Sequence, residues 1–276
     1  MLNLDRLRAL HAVSAQGSIN AAATDAAAQL VLRTQRVLSL LEEAEAELEA
    51  TDDSVAGKIT IAAFATAARG LAPQALRDLR TRYPQLAITF HEQEPHESIP
   101  RLVRRDVDLI IVNDWHNAPL ALPDDLTKAP LCDDVADIAR PPGHRLAKAK
   151  RVTLKELAGE SWIAWQPGTI CHDWLLHTLR KEGREPKIAH TAAEYATQLA
   201  LVAAGLGAAV LPRLGRDPLP KGVTVVPAEP SLRRHVYAAW RTHATRRNVI
   251  RAAVVAFEAA AKQLAAAPAA RKLKRR

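Results

Sequence analysis

Lys58-Ile-Thr-Ile-Ala-Ala-Phe64, Leu86-Ala-Ile-Thr-Phe90 and Val107-Asp-Leu-Ile-Ile-Val112 are the stretches that decide the fold. The first alternates as a strand, and the third is an apolar run suited to a strand buried on both faces. Between them, Thr66 to Arg82 predicts one helix ending at Tyr83-Pro84, and His96 to Arg105 predicts another. Strand, helix, strand, helix, strand is the opening of a doubly wound sheet.

Further along, the polar stretch Pro141-Pro-Gly-His-Arg145 introduces a second block. Leu154 to Ala158 predicts a short helix, Trp162-Ile-Ala-Trp165 a strand, and Cys171 to Lys181 and Tyr195 to Ala204 two helices. Strands follow at Ala208–Leu211, Val223–Val226 and Val236–Trp240, with a closing helix from Asn248 to Leu264. Two α/β lobes are expected, the last strand and helix returning to the first. Open α/β sheets bind ligands in the cleft outside the strand ends.

Upstream of the strands, residues 1–50 contain no Pro and one Gly, Gly17, and read as helical. Leu4, Leu7, Leu10 and Val13 mark one apolar face, and Gly17-Ser18 interrupts it, with Ser18 placed to cap a second short helix. Two short helices meeting at a glycine open a helix-turn-helix. Leu30, Thr34, Val37, Leu41, Ala44 and Leu48 then alternate in steps of four and three, a heptad seam flanked by glutamates. So narrow an apolar stripe implies a dimerising helix; a helix lying against its own domain is the alternative. Thr51 to Gly57 reads as a turn-rich hinge.

The 276 residues are 48% hydrophobic and 25% charged, enough for one large or two modest domains with a real core. Two cysteines, Cys132 and Cys171, cannot form a disulfide framework and have no metal-ligand spacing. No apolar run reaches the length of a membrane span, and Met1-Leu-Asn-Leu-Asp-Arg6 meets charge before a signal-peptide core can form. A cytoplasmic protein is expected. Net charge is +8, but residues 213–276 hold 15 Lys and Arg against 3 acids, and residues 1–212 hold 23 against 27. The basic end, Arg271-Lys-Leu-Lys-Arg-Arg276, can attract phosphate without reading sequence or can be a solvated tail.

The pieces together resemble the LysR-type transcriptional regulators. Leu4 to Ala23 is similar to that family's first helix and the start of its second. Leu79 to Ile88 with Tyr83-Pro84, followed by Asp106-Val-Asp-Leu-Ile-Ile111, matches its first effector lobe, and Leu201-Val-Ala-Ala-Gly-Leu-Gly-Ala-Ala-Val-Leu-Pro212 its second. The resemblance implies an α + α/β protein: a truncated winged helix-turn-helix at 1–29, a linker and dimerisation helix at 30–51, and an effector domain of the periplasmic-binding-protein type at 57–265. Its first lobe would take about 57–135 and 232–265, its second about 136–231, with a basic tail at 266–276. The implied partners are promoter DNA, a small-molecule effector and a second copy of the chain; no cofactor is implied.

One departure stands out. Thr24 to Leu38 resembles the start of the family's linker helix, yet it follows Ala23 directly, where the family has its recognition helix and wing. Base-reading side chains are therefore missing, and only Gly17, Ser18 and Asn20 remain of a DNA-binding head. Residues 1–50 also carry four arginines against seven acids, the wrong sign for a phosphate-binding face. A ligand-sensing module that titrates related regulators through mixed dimers is the alternative this leaves open.

No Gly-x-Ser-x-Gly elbow, Walker loop or His-Glu-x-x-His helix occurs, so an enzyme is not expected. His91, Glu92, Glu94 and His96 read as strand-end alternation before a metal set, and Cys171-His172 as a packed thiol beside a surface histidine before a redox pair. The effector cleft is expected, by resemblance, at Ala65, Thr66 and Ala67, where a hydroxyl and helix start can hold an anion. Asn113 and the facing loop of Trp165, Gln166, Gly168 and Thr169 complete the candidate effector residues.

Overall fold

The computed structural model describes residues 54–266 except 147, 148, 158 and 184, together with Leu30 and residues 33, 34, 36–44 and 47. The expected head at 1–29, with Gly17, Ser18 and Asn20, and the basic tail lie outside the described residues, as does Leu48. Among the described residues, no helix is long and apolar enough to cross a membrane.

Helix α1 (residues 36–44) precedes the sheet. Strand β1 (Gly57–Ala63) buries Ile59, Ile61, Ala62 and Ala63, as its alternation requires. It pairs in parallel with β2 (Leu86–Glu92) on one side and β3 (Leu109–Trp115) on the other. Every residue of β3 is buried, the reason it reads as a continuous apolar run.

The expected helix from Thr66 to Arg82 is two helices, α2 (Ala65–Gly70) and α3 (Ala72–Arg82), broken at Leu71. Pro73 lies in the first turn of α3, where its missing N–H costs nothing. Helix α4 (Pro95–Val103) leads into β3 through Arg105, held at φ +70°.

Strand β4 (Leu126–Arg140) was not expected. The strands expected at 223–226 and 236–240 are one strand, β8 (Thr224–Arg241). These two long strands pair antiparallel along their length, and the sheet runs β2-β1-β3-β8-β4-β7, with β7 at Ala209–Pro212. Their register breaks between Ala136 and Asp137, where residues 228–231 bulge out of β8. The first three strands are parallel and the rest antiparallel, a mixed sheet. A second sheet joins β5 (Ser161–Ala164) to β6 (Lys187–Thr191), the latter also unexpected.

The apolar core divides where the register breaks. One cluster packs β1, β3 and the β8 end against α8 (Asn248–Ala266), through Phe257 and the alanines Ala253, Ala256 and Ala260. Another packs β5, β7 and the β4 end against α6 (Ile170–Lys181) and α7 (Tyr195–Ala203), with the short α5 (Leu154–Leu157) beside them. Two lobes result, joined by β4 and β8.

Candidate functional site

At the crossing of the lobes, Arg234 on β8 is 1% exposed. Its Nε donates to Asp134 Oδ2 at 2.8 Å and its Nη2 to Thr66 Oγ1 at 2.6 Å. Burial disfavours the guanidinium charge, but Asp134, with Tyr195 and Cys171 adding to it, outweighs that cost, so Arg234 is a locked cation. The other Asp134 oxygen accepts from Leu214 N at 2.9 Å, tying the loop after β7 to the same carboxylate. Thr66 Oγ1 accepts from Arg234, so its own proton is left to donate, and among the described residues it meets no acceptor.

Around this pair lie Asn113, Trp115, Cys171 and Tyr195, all buried. Among the described residues, Asn113 Nδ2 and Trp115 Nε1 meet no oxygen acceptor, and the group they act on is the Cys171 sulfur. Burial pushes the Cys171 thiol up to about 11, overcoming Arg234 and the side-chain N–H groups of Trp115 and Asn113, which favour the thiolate. Burial likewise raises Tyr195, and it raises Glu94 although the Ala65 backbone N–H pulls the other way. The Trp115 ring stacks on Trp174 of the opposite lobe with centroids 3.6 Å apart and planes within 9°. Trp174 Nε1 donates to Asn117 Oδ1 at 2.7 Å, so α6 is joined to the end of β3 by stacking and to the turn after it by hydrogen bonding.

Beside Thr66 opens a cavity of about 240 Å³, bounded by Arg69, Tyr195, Leu199, Leu211 and Leu214. Its outer wall, the loop after β7, is pinned by buried Asp137, which accepts from Arg213 at 2.6 and 3.0 Å and from Arg216 at 2.8 Å. Burial would raise the Asp137 carboxyl, but the two guanidinium groups hold it below its usual range. Gly215, at φ +64°, packs so closely that an added Cβ would stand 2.4 Å from Thr66 O. Only glycine allows this approach of the loop to α2.

The sequence-derived residues separate. Thr66 and Asn113 lie at the crossing, and Trp165 is buried edge-on to Tyr195, centroids 5.6 Å apart. Ala67 is sealed in the core with its N–H on Phe64 O, beside half-buried Ala65. Gln166 and Gly168 are exposed, and Thr169 caps α6, accepting from His172 N and donating to Gln166 O. His172, expected at the surface, is 8% exposed and contacts Asp173 Oδ1 at 3.0 Å. Sequence reasoning missed Arg234, Asp134 and Tyr195. Arg234 shares strand parity with Val236, Ala238 and Trp240, all buried, and that period of two was the available signal.

Leu38 and Glu42 of α1 are buried, as is Thr34 before it, the three four residues apart and each under 5% exposed; Glu42 meets the domain that follows. Arg241, at the end of β8, donates from Nε to Glu42 Oε1 at 2.8 Å, and from Nη1 to Leu102 O and Val107 O at 2.8 and 2.7 Å. Arg105 pairs with the same carboxylate, and His243 contacts Glu43. Val37, Leu41 and Ala44 of the expected seam face outward with Leu40, whereas Thr34 faces inward and Leu30 is half-buried.

The chain matches the LysR substrate binding domain family over residues 52–262. It is 31% identical over 193 residues to the HTH-type transcriptional regulator TtuA of Agrobacterium vitis, covering 69% of this chain and 62% of that protein. It is 28% identical over 202 residues to the HTH-type transcriptional regulator CysL of Bacillus subtilis, covering 71% and 65%. The chain thus spans just under two thirds of the length of these relatives. Among solved structures, the C-terminal domain of a probable LysR family transcriptional regulator from Rhodococcus sp. RHA1 superposes with a TM-score of 0.63 at 25% identity, over 74% of this chain and 99% of that one. A full-length OxyR variant from Pseudomonas aeruginosa gives 0.67 at 18% identity over 94% and 98%, a likeness of fold. The chain belongs to the LysR family.

Proposed function

We propose that this protein is a cytoplasmic, small-molecule-responsive transcriptional regulator of the LysR type, working as a homo-oligomer on promoter DNA. The observation that carries the reading is the match over 52–262, joined to a two-lobed domain whose crossing holds a locked cation beside a cavity. Thr66, Asn113 and Trp165 are the effector-facing residues among those expected from the sequence. The domain scheme is a truncated head at 1–29, a linker and dimerisation helix at 30–51, and effector lobes at about 57–135 with 232–265 and at about 136–231. An effector acts through its differential affinity for two arrangements of the oligomer.

Fluorescence anisotropy of the full chain against DNA from upstream of its own gene tests this, beside a variant ending at Ala270. Saturable, sequence-preferring binding that survives removal of the basic tail supports the regulator reading. Binding that vanishes with the tail or with moderate salt is counterion release alone and overturns it.

A further inference from the structure

The cations around the crossing are held in two ways. Arg234 is committed to Asp134 and Thr66, and Arg213 and Arg216 share buried Asp137. Arg69 on α2 is held loosely. Its Nε donates to Gly215 O at 3.2 Å, and its guanidinium carbon stands 5.4 Å from the Tyr195 ring centroid. Its carboxylate neighbour, Asp217, is 3.9 Å away with a side chain 76% exposed. A solvated pair of that kind contributes little, so an anion from solution can take the place of Asp217.

Thr66 lies three residues before Arg69 and so shares a helix face with it. It brings a hydroxyl proton with no acceptor among the described residues, because its oxygen already accepts from Arg234. One wall of the cavity these two border is apolar, from Leu199, Leu211, Pro212 and Leu214, and the loop after β7 adds Arg216, already paired with Asp137, and Asp217. Its volume of about 240 Å³ is that of roughly eight waters at ~30 Å³ each, and below the ~300–1,000 Å³ of drug-sized sites.

We propose, building on the effector-site reading above, that this cavity binds a small amphipathic monocarboxylate. The carboxylate sits between the Arg69 guanidinium and the Thr66 hydroxyl, and the apolar body lies against Leu199 and Leu211. Asp217 at the mouth repels a second negative charge, which sets monoanions apart from dianions.

The test is calorimetric titration of the full chain with phenylacetate and 4-methylpentanoate, each beside its amide, with hydrogen exchange to locate the site. Both acids are expected to bind, the amides about ten-fold or more weakly, with protection over Tyr195–Leu199 and Leu211–Pro220. Arg69→Met should erase the difference between acid and amide while leaving the unliganded thermal midpoint in place. Amides binding as well as acids, an Arg69→Met protein that keeps its preference, or no binding of either at millimolar concentration overturns the proposal. A neutral ligand that protects the same segments overturns the charge assignment and leaves the effector-site reading standing. Acids that protect other segments overturn the cavity as the effector site.

Discussion

Replacing Arg234 by methionine leaves the Asp134 carboxylate, 6% exposed, buried without its cation. Loss of one partner from a buried pair costs about 3–5 kcal/mol, and urea titration of Arg234→Met should show a fall of that order. The Cys171 thiol makes a second prediction at this scale. Held at about 11, it is almost wholly protonated at neutral pH. A disulfide reagent at pH 8 should label it far more slowly in the native protein than in urea, and native labelling as fast as in urea would refute this. Arg234 was missed because the expected strand began at Val236, although parity with Val236 and Ala238 carries the signal of an inward cation. Tyr195 and Cys171 carry no such signal, because nothing local to either residue shows that the lobes bring them together beside Arg234.

The docking of α1 centres on Glu42, held bidentately by Arg241 and also by Arg105, beside the Glu43–His243 contact. Burial would raise the Glu42 carboxyl, but hydrogen bonds and charge from Arg241, with Arg105, hold it below the usual value of 4.5. With the folded value depressed, this stabilisation is present in full above about pH 4.5 and is lost as pH falls through the folded value. Glu42→Ala should therefore free residues 36–44, seen as faster amide exchange there, and remove that part of the acid dependence. Its cost should be about 1–3 kcal/mol, since Arg241 keeps Leu102 O, Val107 O and Asp108. Strands β1 and β3 were readable because burial imprints period two or an unbroken apolar run. Strand β4 escaped because Thr127 to Asp134 mixes acids, Lys128 and Pro130 along a half-exposed stretch. Its partner β8 was split by Pro227 and Pro230, which interrupt the pattern where the strand bulges.

For the molecule as a whole, α1 presents two faces. One is clamped to its own domain, and the other shows Val37, Leu40 and Leu41 at 43, 59 and 42% exposure. The expected seam is split: Val37 and Leu41 lie on the outward stripe, while the contact in cis is made through Glu42, which is not a seam position. If that stripe joins two copies, Leu40→Glu with Leu41→Glu should shift sedimentation from dimer toward monomer with little change in the thermal midpoint. A wild-type chain that sediments as a monomer would refute the dimer. The lobes themselves are bridged by the stacked pair of Trp115 and Trp174, whose parallel planes at 3.6 Å bring two indole transitions into direct optical coupling. Coupled chromophores in a chiral setting give a paired positive and negative band in circular dichroism, and the pair collapses once the rings separate. The protein therefore carries an unlabelled optical ruler across its own cleft, and any ligand that parts or twists the lobes will write its effect into that signal.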